Sequence, residues 1–120
     1  MAAYMPDISV GSYASLSSAV ANAPDGELYV IEINSNISDY SAVIVIPTDK
    51  QIVLINDGTP RTLTTQGNYR HFSVIGALTL TDGVTLTHYN TSNGGGVAVS
   101  GSGIFCMEGG TISGIYNPVV

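Results

Sequence analysis

Positive charge is scarce in this sequence. Its 120 residues include three Lys and Arg against nine Asp and Glu, which gives a formal net charge of −6. Proteins that bind nucleic acid or anionic membranes need a basic surface to neutralise phosphate groups. We therefore expect neither nucleic acid nor an anionic membrane surface among the partners of this chain.

Cysteine and long apolar runs are also rare. Cys106 is the single cysteine, so no internal disulfide can form, and no grouping of His and Cys approaches the spacing of a zinc site. We expect no cofactor. The opening MAAYMPDISVG lacks the basic and apolar regions of a secretory signal, and no apolar run is long enough to span a membrane. Either the protein is soluble inside the cell or its targeting segments have been removed.

The residues that are abundant favour β-structure. The chain has 14 glycines, many Thr and Ser, and frequent Val and Ile. Branched side chains fit a pleated surface, and Gly fits the turns between strands. With 44% hydrophobic and 10% charged residues, the 120 residues suffice for one domain with a continuous core and are too few for two. The composition predicts a single β-rich domain.

One segment has a helical pattern. Ser12 is a good N-cap for a helix over residues 13–22, which the Pro-Asp-Gly sequence at 24–26 ends. Its apolar residues recur at helical spacing and form one stripe: Leu16, Ala19, Val20 and Ala23. The rest of the chain predicts short strands separated by turns, at 28–33, 42–46, 51–55, 61–65, 71–75, 78–81, 84–88, 96–100, 104–107 and 111–113.

Two stretches of the chain share one pattern. LTLTDGVTL at 78–86 and IFCMEGGTI at 104–112 both read apolar, x, apolar, x, acid, Gly, x, x, apolar. A sandwich or an up-and-down barrel does not require such repetition. A parallel solenoid does, because each strand stacks on the equivalent strand of the previous coil at about 4.8 Å. The repeat predicts a parallel solenoid of about four coils.

The offset between these stretches predicts which side chains stack in the core. The expected stacks are Leu78 with Ile104, Leu80 with Cys106 and Leu86 with Ile112, and, less regularly, Ile52 and Leu54 near Phe72 and Val74, then Val97 and Val99. If Ile104 and Cys106 point inward, Phe105 and Met107 must point outward, because side chains alternate along a strand. The opposite assignment, with Phe105 inward and Cys106 outward, stays open.

Three longer stretches resemble a known family. IPTDKQIVLI (46–55), HFSVIGALTLTDGVTL (71–86) and GGGVAVSGSGIFCMEGGTISG (94–114) are similar to the repeats of bacterial right-handed parallel β-helix surface proteins, of the adhesin and autotransporter-passenger type within the pectate-lyase-like superfold. Related polymorphic outer-membrane-protein repeats have a Gly-Gly-small-aliphatic element followed by Phe-x-x-Asn. Gly95-Gly96-Val97 matches the first element, and residues 105–108 match the second with Glu in place of Asn. The resemblance implies an all-β, right-handed parallel β-helix with an N-terminal helical cap, and it implies that Phe105 points inward.

These patterns divide the chain into three parts. We expect an N-terminal tail over residues 1–11, a capping helix and turn over 12–26, and β-helix coils over 27–120. The helix would cover the open end of the core and the unpaired backbone groups of the first coil. The sequence shows no comparable cap at the other end, so we expect the coils to belong to a longer solenoid or the open end to self-associate.

The titratable residues give little indication of catalysis. Enzymes of this superfold need a Lys or Arg base beside calcium-binding aspartates, or a cluster of aspartates on one face. Lys50 lies in a tight turn, and Arg61 and Arg70 flank outward-facing strands. His71 and His88 stand at strand ends with no Ser, Cys or second ligand at the spacing of a triad or metal site. We expect structural roles for these five residues and no enzymatic activity.

Two carboxylates and a set of threonines have alternative interpretations. The alignment stacks Asp82 on Glu108, but two carboxylates supply too few of the about six to eight oxygens that Ca²⁺ prefers, so we expect no bound metal.

Regular Thr-x-Thr arrays on flat β-solenoids are associated with ice binding. Because the equivalent positions in the next coil are Phe105, Met107, Thr111 and Ser113, we expect no Thr column to continue into the last coil.

The loop HYNTSNGGG at 88–96 is the candidate contact site for a ligand. In one interpretation Tyr89 stacks on a sugar ring and Asn90 and Asn93 form hydrogen bonds with it; in the other this segment is only a flexible turn. The expected function is a non-enzymatic structural and adhesive module of a bacterial cell-surface or secreted protein, which contacts host proteins or glycans through its turns. The alternatives are a non-catalytic fragment of a polysaccharide lyase or hydrolase of the same fold, and a trimeric phage or secreted fibre module.

Overall fold

The structure is a computed structural model that describes residues 4–89 and 94–113. These residues form one helix and eleven strands. In chain order the elements are β1 (Ile8–Val10), α1 (Tyr13–Asn22), β2 (Leu28–Ile33), β3 (Ile44–Ile46), β4 (Gln51–Asn56), β5 (Arg61–Thr65), β6 (Phe72–Val74), β7 (Ala77–Leu80), β8 (Val84–His88), β9 (Val97–Val99), β10 (Ile104–Met107) and β11 (Thr111–Ser113).

The strands form three parallel sheets that surround one core. Sheet A has the order β1-β2-β4-β7-β10, sheet B has β11-β8-β5, and sheet C has β3-β6-β9. Neighbouring strands in each sheet come from successive coils, and every pair is parallel. The chain therefore winds through sheets A, B and C in turn, and the predicted parallel β-solenoid of about four turns is confirmed.

Helix α1 has the predicted bounds, and its capping explains where it begins. The side chain of Ser12 accepts a hydrogen bond from the backbone N–H of Ser15 at 3.2 Å, and the Ser15 hydroxyl accepts one from the backbone N–H of Ser12 at 3.1 Å. This reciprocal capping box satisfies two backbone donors at the helix start. The helix buries Leu16, Ala19 and Val20 in the common core, where it packs near β1 and β3, the first strands of sheets A and C.

The N-terminal segment contains a strand that the sequence pattern does not predict. Residues 8–10, within the segment expected as a tail, pair in parallel with residues 31–33 as the edge strand of sheet A. Only Val10 is buried among the three strand residues. So short a segment has no periodic signal of its own, and its extended conformation depends on the edge of β2 on which it pairs.

The register of the last coil corrects the predicted stacks in sheet A. Leu86 does pair with Ile112, as expected, but Leu78 pairs with Phe105 and Leu80 with Met107. The predicted stacks of Leu78 with Ile104 and of Leu80 with Cys106 are therefore wrong by one residue.

A shortened turn explains why one constant offset fails. The connection from β10 to β11 lacks one residue relative to the connection from β7 to β8, and it contains Gly109 and Gly110 at positive φ. A Cβ on Gly109 would lie 2.1 Å from Oδ1 of Asp82, so only glycine allows this close approach. The offset between coils changes from 27 residues before the turn to 26 after it.

The register also decides the orientation of β10. Phe105 is half-buried and packs against the core, whereas Cys106 is exposed with a free thiol. The inward assignment of Phe105 that the resemblance implies is confirmed. The predicted stacks of Phe72 with Val97 and Val74 with Val99 are also confirmed, but Ile52 and Leu54 pair with Leu78 and Leu80 in sheet A rather than with residues of sheet C.

Two columns of hydroxyl side chains continue through all three strands of sheet B. The strand pairs place Thr62, Thr85 and Thr111 in one column and Thr64, Thr87 and Ser113 in the other. The expectation that no Thr column reaches the last coil is therefore wrong. That expectation treated β10 and β11 together, whereas Phe105 and Met107 belong to sheet A and only Thr111 and Ser113 stack on the threonines of sheet B.

Candidate functional site: the loop corner

The longest connections of the solenoid lie together at one corner. Residues 38–43 and 66–71 connect sheet B to sheet C, and the structure describes residue 89 and residues 94–96 of the next such connection. We call these described residues the loop corner. Gln66 Nε2 donates to the carbonyl of Ser38 at 3.0 Å, and the N–H of Gly95 donates to the carbonyl of Tyr69 at 2.8 Å. The three loops therefore stack like the coils from which they project.

Aromatic side chains from successive coils support these loops. The ring of Tyr40 packs on Tyr13 of α1, with centroids 5.0 Å apart, and its edge meets His71 at 5.4 Å. The hydroxyl of Tyr69 donates to the carbonyl of Tyr40 at 2.6 Å. Tyr40 is buried, Tyr69 is half-buried and Tyr89 is 62% exposed. The corner thus carries one exposed tyrosine, Tyr89, in addition to the anchored side chains of Tyr40 and Tyr69.

Two buried histidines hold the base of the loop corner. Nε2 of His71 donates to the carbonyl of Leu63 at 2.8 Å, and its Nδ1 accepts from the N–H of Gly96 at 2.9 Å. These partners require the neutral imidazole with its proton on Nε2. Nδ1 of His88 lies 2.7 Å from the hydroxyl of Thr65. Both histidines are buried in contacts with the chain itself, in agreement with the structural roles expected of them.

A glycine permits the close packing of two of these loops. Gly94 has φ 146°, and a Cβ there would lie 2.3 Å from the carbonyl oxygen of Gly67 and 2.8 Å from Cε1 of His88. Any side chain at this position would separate the third loop from the second. The stacking of the loops therefore requires glycine at position 94.

Of the three predicted ligand-contact residues, the structure describes Tyr89, and this residue lies on the loop corner. Tyr89 follows β8 directly, and its side chain is exposed at the loop corner. Asn90 and Asn93 lie outside the described residues. Sequence reasoning missed Tyr40 and Tyr69. A signal for Tyr40 existed, because Tyr40 and Tyr89 each lie three residues after an inward residue of sheet B, Ile37 and Leu86.

Lys50 and Arg61 each stabilise a turn, and the cationic residues do not converge on one site. Nζ of Lys50 lies 2.9 Å from Oδ1 of Asp25 and also donates to the carbonyl of Ala23, which ties the turn after β3 to the end of α1. Lys50 is therefore less solvated than a simple turn residue. Arg61 forms two hydrogen bonds of 2.9 Å with the carboxylate of Asp57 and holds the pKa of Asp57 below its usual value. Arg70 is exposed in the second loop of the corner.

Asp82 and Glu108 do not form a stacked pair. The register places Glu108 beside Thr81 and the carboxylate of Asp82 beside Gly109. Oε1 of Glu108 accepts a hydrogen bond of 2.7 Å from the Tyr4 hydroxyl, which raises the pKa of that tyrosine. Among residues 4–89 and 94–113, no three His, Cys, Asp or Glu side chains come together in a group that could hold a metal ion.

Comparison with known proteins does not identify a family for this chain. The chain matches no protein-family model, and neither the curated proteins nor the solved structures gave a match. The parallel β-solenoid therefore stands on the structure, while membership of the adhesin or pectate-lyase-like group stays a prediction from the resemblance. No helix within the described ranges has the length and hydropathy needed to cross a membrane.

Burial of His71 predicts a loss of stability in acid. Burial lowers the pKa of His71 from 6.5 to about 4. The backbone hydrogen bonds of the ring raise this pKa, but burial has the larger effect. Because the pKa is lower in the folded than in the unfolded state, the stabilising contribution is complete above pH 6.5 and is lost as the pH falls towards 4. We expect this group alone to remove about 3 kcal/mol of the free energy of unfolding over that range.

Urea denaturation of the parent chain and of His71→Gln at several pH values measures this effect. The glutamine amide can replace both hydrogen bonds but does not titrate, so the variant should be less stable at pH 7 and should show a flatter pH dependence between 6.5 and 4. Equal pH dependence of the two proteins would contradict the assignment of the acid sensitivity to His71.

We predict that removal of the buried hydroxyl of Tyr40 stabilises the protein. It is buried without a hydrogen-bond partner among the described residues, and burial raises its pKa well above the usual value of 10.0. Because an unpaired buried polar group costs about 1–3 kcal/mol, Tyr40→Phe should raise the free energy of unfolding by about 1 kcal/mol. Tyr69→Phe is the matched control, and it should lower that free energy because it removes the donor to the Tyr40 carbonyl. Chemical denaturation that shows Tyr40→Phe to be destabilising would contradict the packing described here.

Proposed function

We propose that this chain is a non-enzymatic structural and adhesive module of a bacterial cell-surface or secreted protein, and that its loop corner contacts host proteins or glycans. The observation that carries the proposal is the stacking of the described loop residues on one corner of a solenoid, where Tyr89 is exposed while Tyr40 and His71 are buried. Loops on a rigid scaffold are the usual place for binding residues.

The solenoid supplies the rigidity that such a module needs. Every strand pair is formed between coils, so the backbone hydrogen bonds run along the solenoid axis and resist its extension. His71 and the other buried polar groups of the corner serve to fix the loops on this frame. A binding surface whose loops are already ordered loses little conformational entropy when it binds.

The exposed side chains of the corner suit a polar ligand. Tyr89 provides an aromatic face, Asn68 an amide and Arg70 a cation, and all three are exposed. An aromatic face with a few directional polar groups is a combination that holds sugar rings and polar peptide surfaces. The resemblance to bacterial surface β-helices supports the same location and role for this chain.

A glycan array and a binding assay on host cells test this proposal. The parent chain should bind at least one glycan class or cell type, and Tyr89→Ala should weaken that binding at least about tenfold, equivalent to about 1.4 kcal/mol. Tyr4→Ala, which removes a tyrosine far from the loop corner, should bind like the parent chain. Failure of the parent chain to bind any surface would contradict the adhesive role, and unchanged binding by Tyr89→Ala would contradict its location.

The hydroxyl columns of sheet B favour one second candidate function, adsorption to ice. Six outward hydroxyl side chains form a lattice with spacings of about 4.8 Å between coils and about 6.6 Å along each strand. Inward side chains of the same strands fix this face to the core, with Leu63 and Leu86 fully buried beneath it. Regular arrays of this kind are the feature associated with ice binding on β-solenoids.

Thermal hysteresis of the purified chain tests the second candidate. An ice-adsorbing face should lower the freezing point below the melting point, and Thr85→Lys at the centre of the lattice should abolish the difference. Ser73→Lys makes the same kind of change on the outer face of sheet C and should leave it unchanged. Absence of hysteresis in the parent chain would exclude this function.

A further inference from the structure

A short segment before β1 crosses the outer face of sheet A, and we call it, residues 4–7, the strap. At one side of the sheet, the N–H of Asp7 donates to the carbonyl of Val30 at 2.8 Å, and the Asp7 carboxylate accepts from the N–H of Val30 at 2.8 Å. At the other side, the Tyr4 hydroxyl donates to Oε1 of Glu108 at 2.7 Å, directly after β10. The strap therefore joins the first strands of the sheet to a coil three turns away.

The strap must run almost straight across the strands. β1 and β10 are the outermost of the five strands of sheet A, so they lie about 19 Å apart at the usual strand spacing. The chain from Asp7 to Tyr4 spans at most about 10 Å when extended, so the Tyr4 ring has to continue in the same direction to reach Glu108. The sequence suits this path. Pro6 has no N–H with which to extend the ladder of β1, and it restricts Met5 to extended conformations.

Two valines beneath the strap show that it shields this face. Val30 and Val53 form one column of sheet A beside Asp7. Their neighbours along the strands, Ile31 and Leu54, lie in the core, so both valines point outward. Val30 and Val53 are nevertheless only 5% and 1% exposed, although they lie outside the core cluster. The strap passes over this column and supplies the cover that buries it.

Tyr4 is the end of the strap that lies farthest from β1. Its side chain is half-buried, and its hydrogen bond with Glu108 is the main cause of its raised pKa. Cys106, which continues the column of Val53, also raises that pKa. Met5 is 79% exposed between the two ends. The strap is thus fastened by hydrogen bonds at its ends, and the contact at Tyr4 rests on one side chain.

We propose that the strap is a latch: Tyr4 bound to Glu108 keeps it closed, and loss of this one contact opens an apolar slot over Val53 on the outer face of sheet A. Asp7 keeps its hydrogen bonds with β2 in the open form, so the strap swings about that end. The coils stay stacked, because the core side chains project from the other side of the same strands.

The reactivity of a thiol placed beneath the strap tests this proposal. In a Cys106→Ser background, the thiol of Val53→Cys should react slowly with dithionitrobenzoate, because the strap covers it. Addition of Tyr4→Ala should speed the reaction at least about tenfold, because the slot is then open to solvent for most of the time. Addition of Tyr89→Ala, which removes a tyrosine of the loop corner, should leave the rate unchanged. A rate that Tyr4→Ala does not change would overturn the proposal.

A second thiol position separates opening of the strap from unfolding of the chain. Val74→Cys makes the same substitution at an inward valine of sheet C that is fully buried. In the Cys106→Ser background its thiol should react equally slowly with and without Tyr4→Ala. Equal acceleration at both thiol positions would show that Tyr4→Ala unfolds the coils, and it would contradict a local latch.

The contact that holds the latch is tested by combining two substitutions. Tyr4→Phe and Glu108→Ala should each speed the reaction of the Val53→Cys thiol, because each removes the same hydrogen bond. The two together should speed it no more than the stronger of the single changes. Effects that multiply in the double variant would show that the residues act independently, and they would contradict Glu108 as the point at which the strap is fastened.

Discussion

The in-register stacking of apolar side chains between coils is the interaction on which the rest of this structure depends. The column of Ile31, Leu54 and Leu80 shows it clearly, since all three side chains are fully buried and each lies on a neighbouring strand of sheet A. The same pairing that buries these side chains forms the backbone ladders between coils. Hydrophobic burial and hydrogen bonding therefore depend on one register, and a slip of one residue would turn the core residues outward.

The loops inherit their arrangement from that register. Strands of sheet B lie directly over one another, so the connections that leave them begin at the same corner and stack in turn. His71 shows how the core supports this corner, because one ring nitrogen bonds to Leu63 in sheet B and the other to the loop of the next coil at Gly96. The loop corner and the rigid axis that carries it thus arise from one repeated unit.

The sequence predicts the regular parts of this fold because their signals are local. Helix α1 was expected at residues 13–22 because Ser12 caps it and Pro24 follows it, and β2 and β5 have the bounds that their apolar patterns indicate. The register of the last coil was not predictable by a constant offset, because the turn at Gly109 and Gly110 is one residue shorter than the turn before it.

The candidate site was only partly visible in the sequence. Tyr89 was identified from its glycine-rich loop, whereas Tyr40 was missed although it holds the same position after Ile37 as Tyr89 after Leu86, and Tyr69 was missed because it has no such equivalent. Their role depends on contacts between coils, such as the hydrogen bond from Tyr69 to the carbonyl of Tyr40. Strand β1 was missed for a similar reason, because its pairing partner is distant in sequence.

Nuclear Overhauser contacts between backbone protons of the labelled chain test the central claim most directly. Stacked coils predict parallel cross-strand contacts that pair Phe105 with Leu78 and Ile112 with Leu86. Antiparallel contacts between successive strands, such as β7 with β8, would show hairpins in place of coils and would contradict both the solenoid and the loop corner.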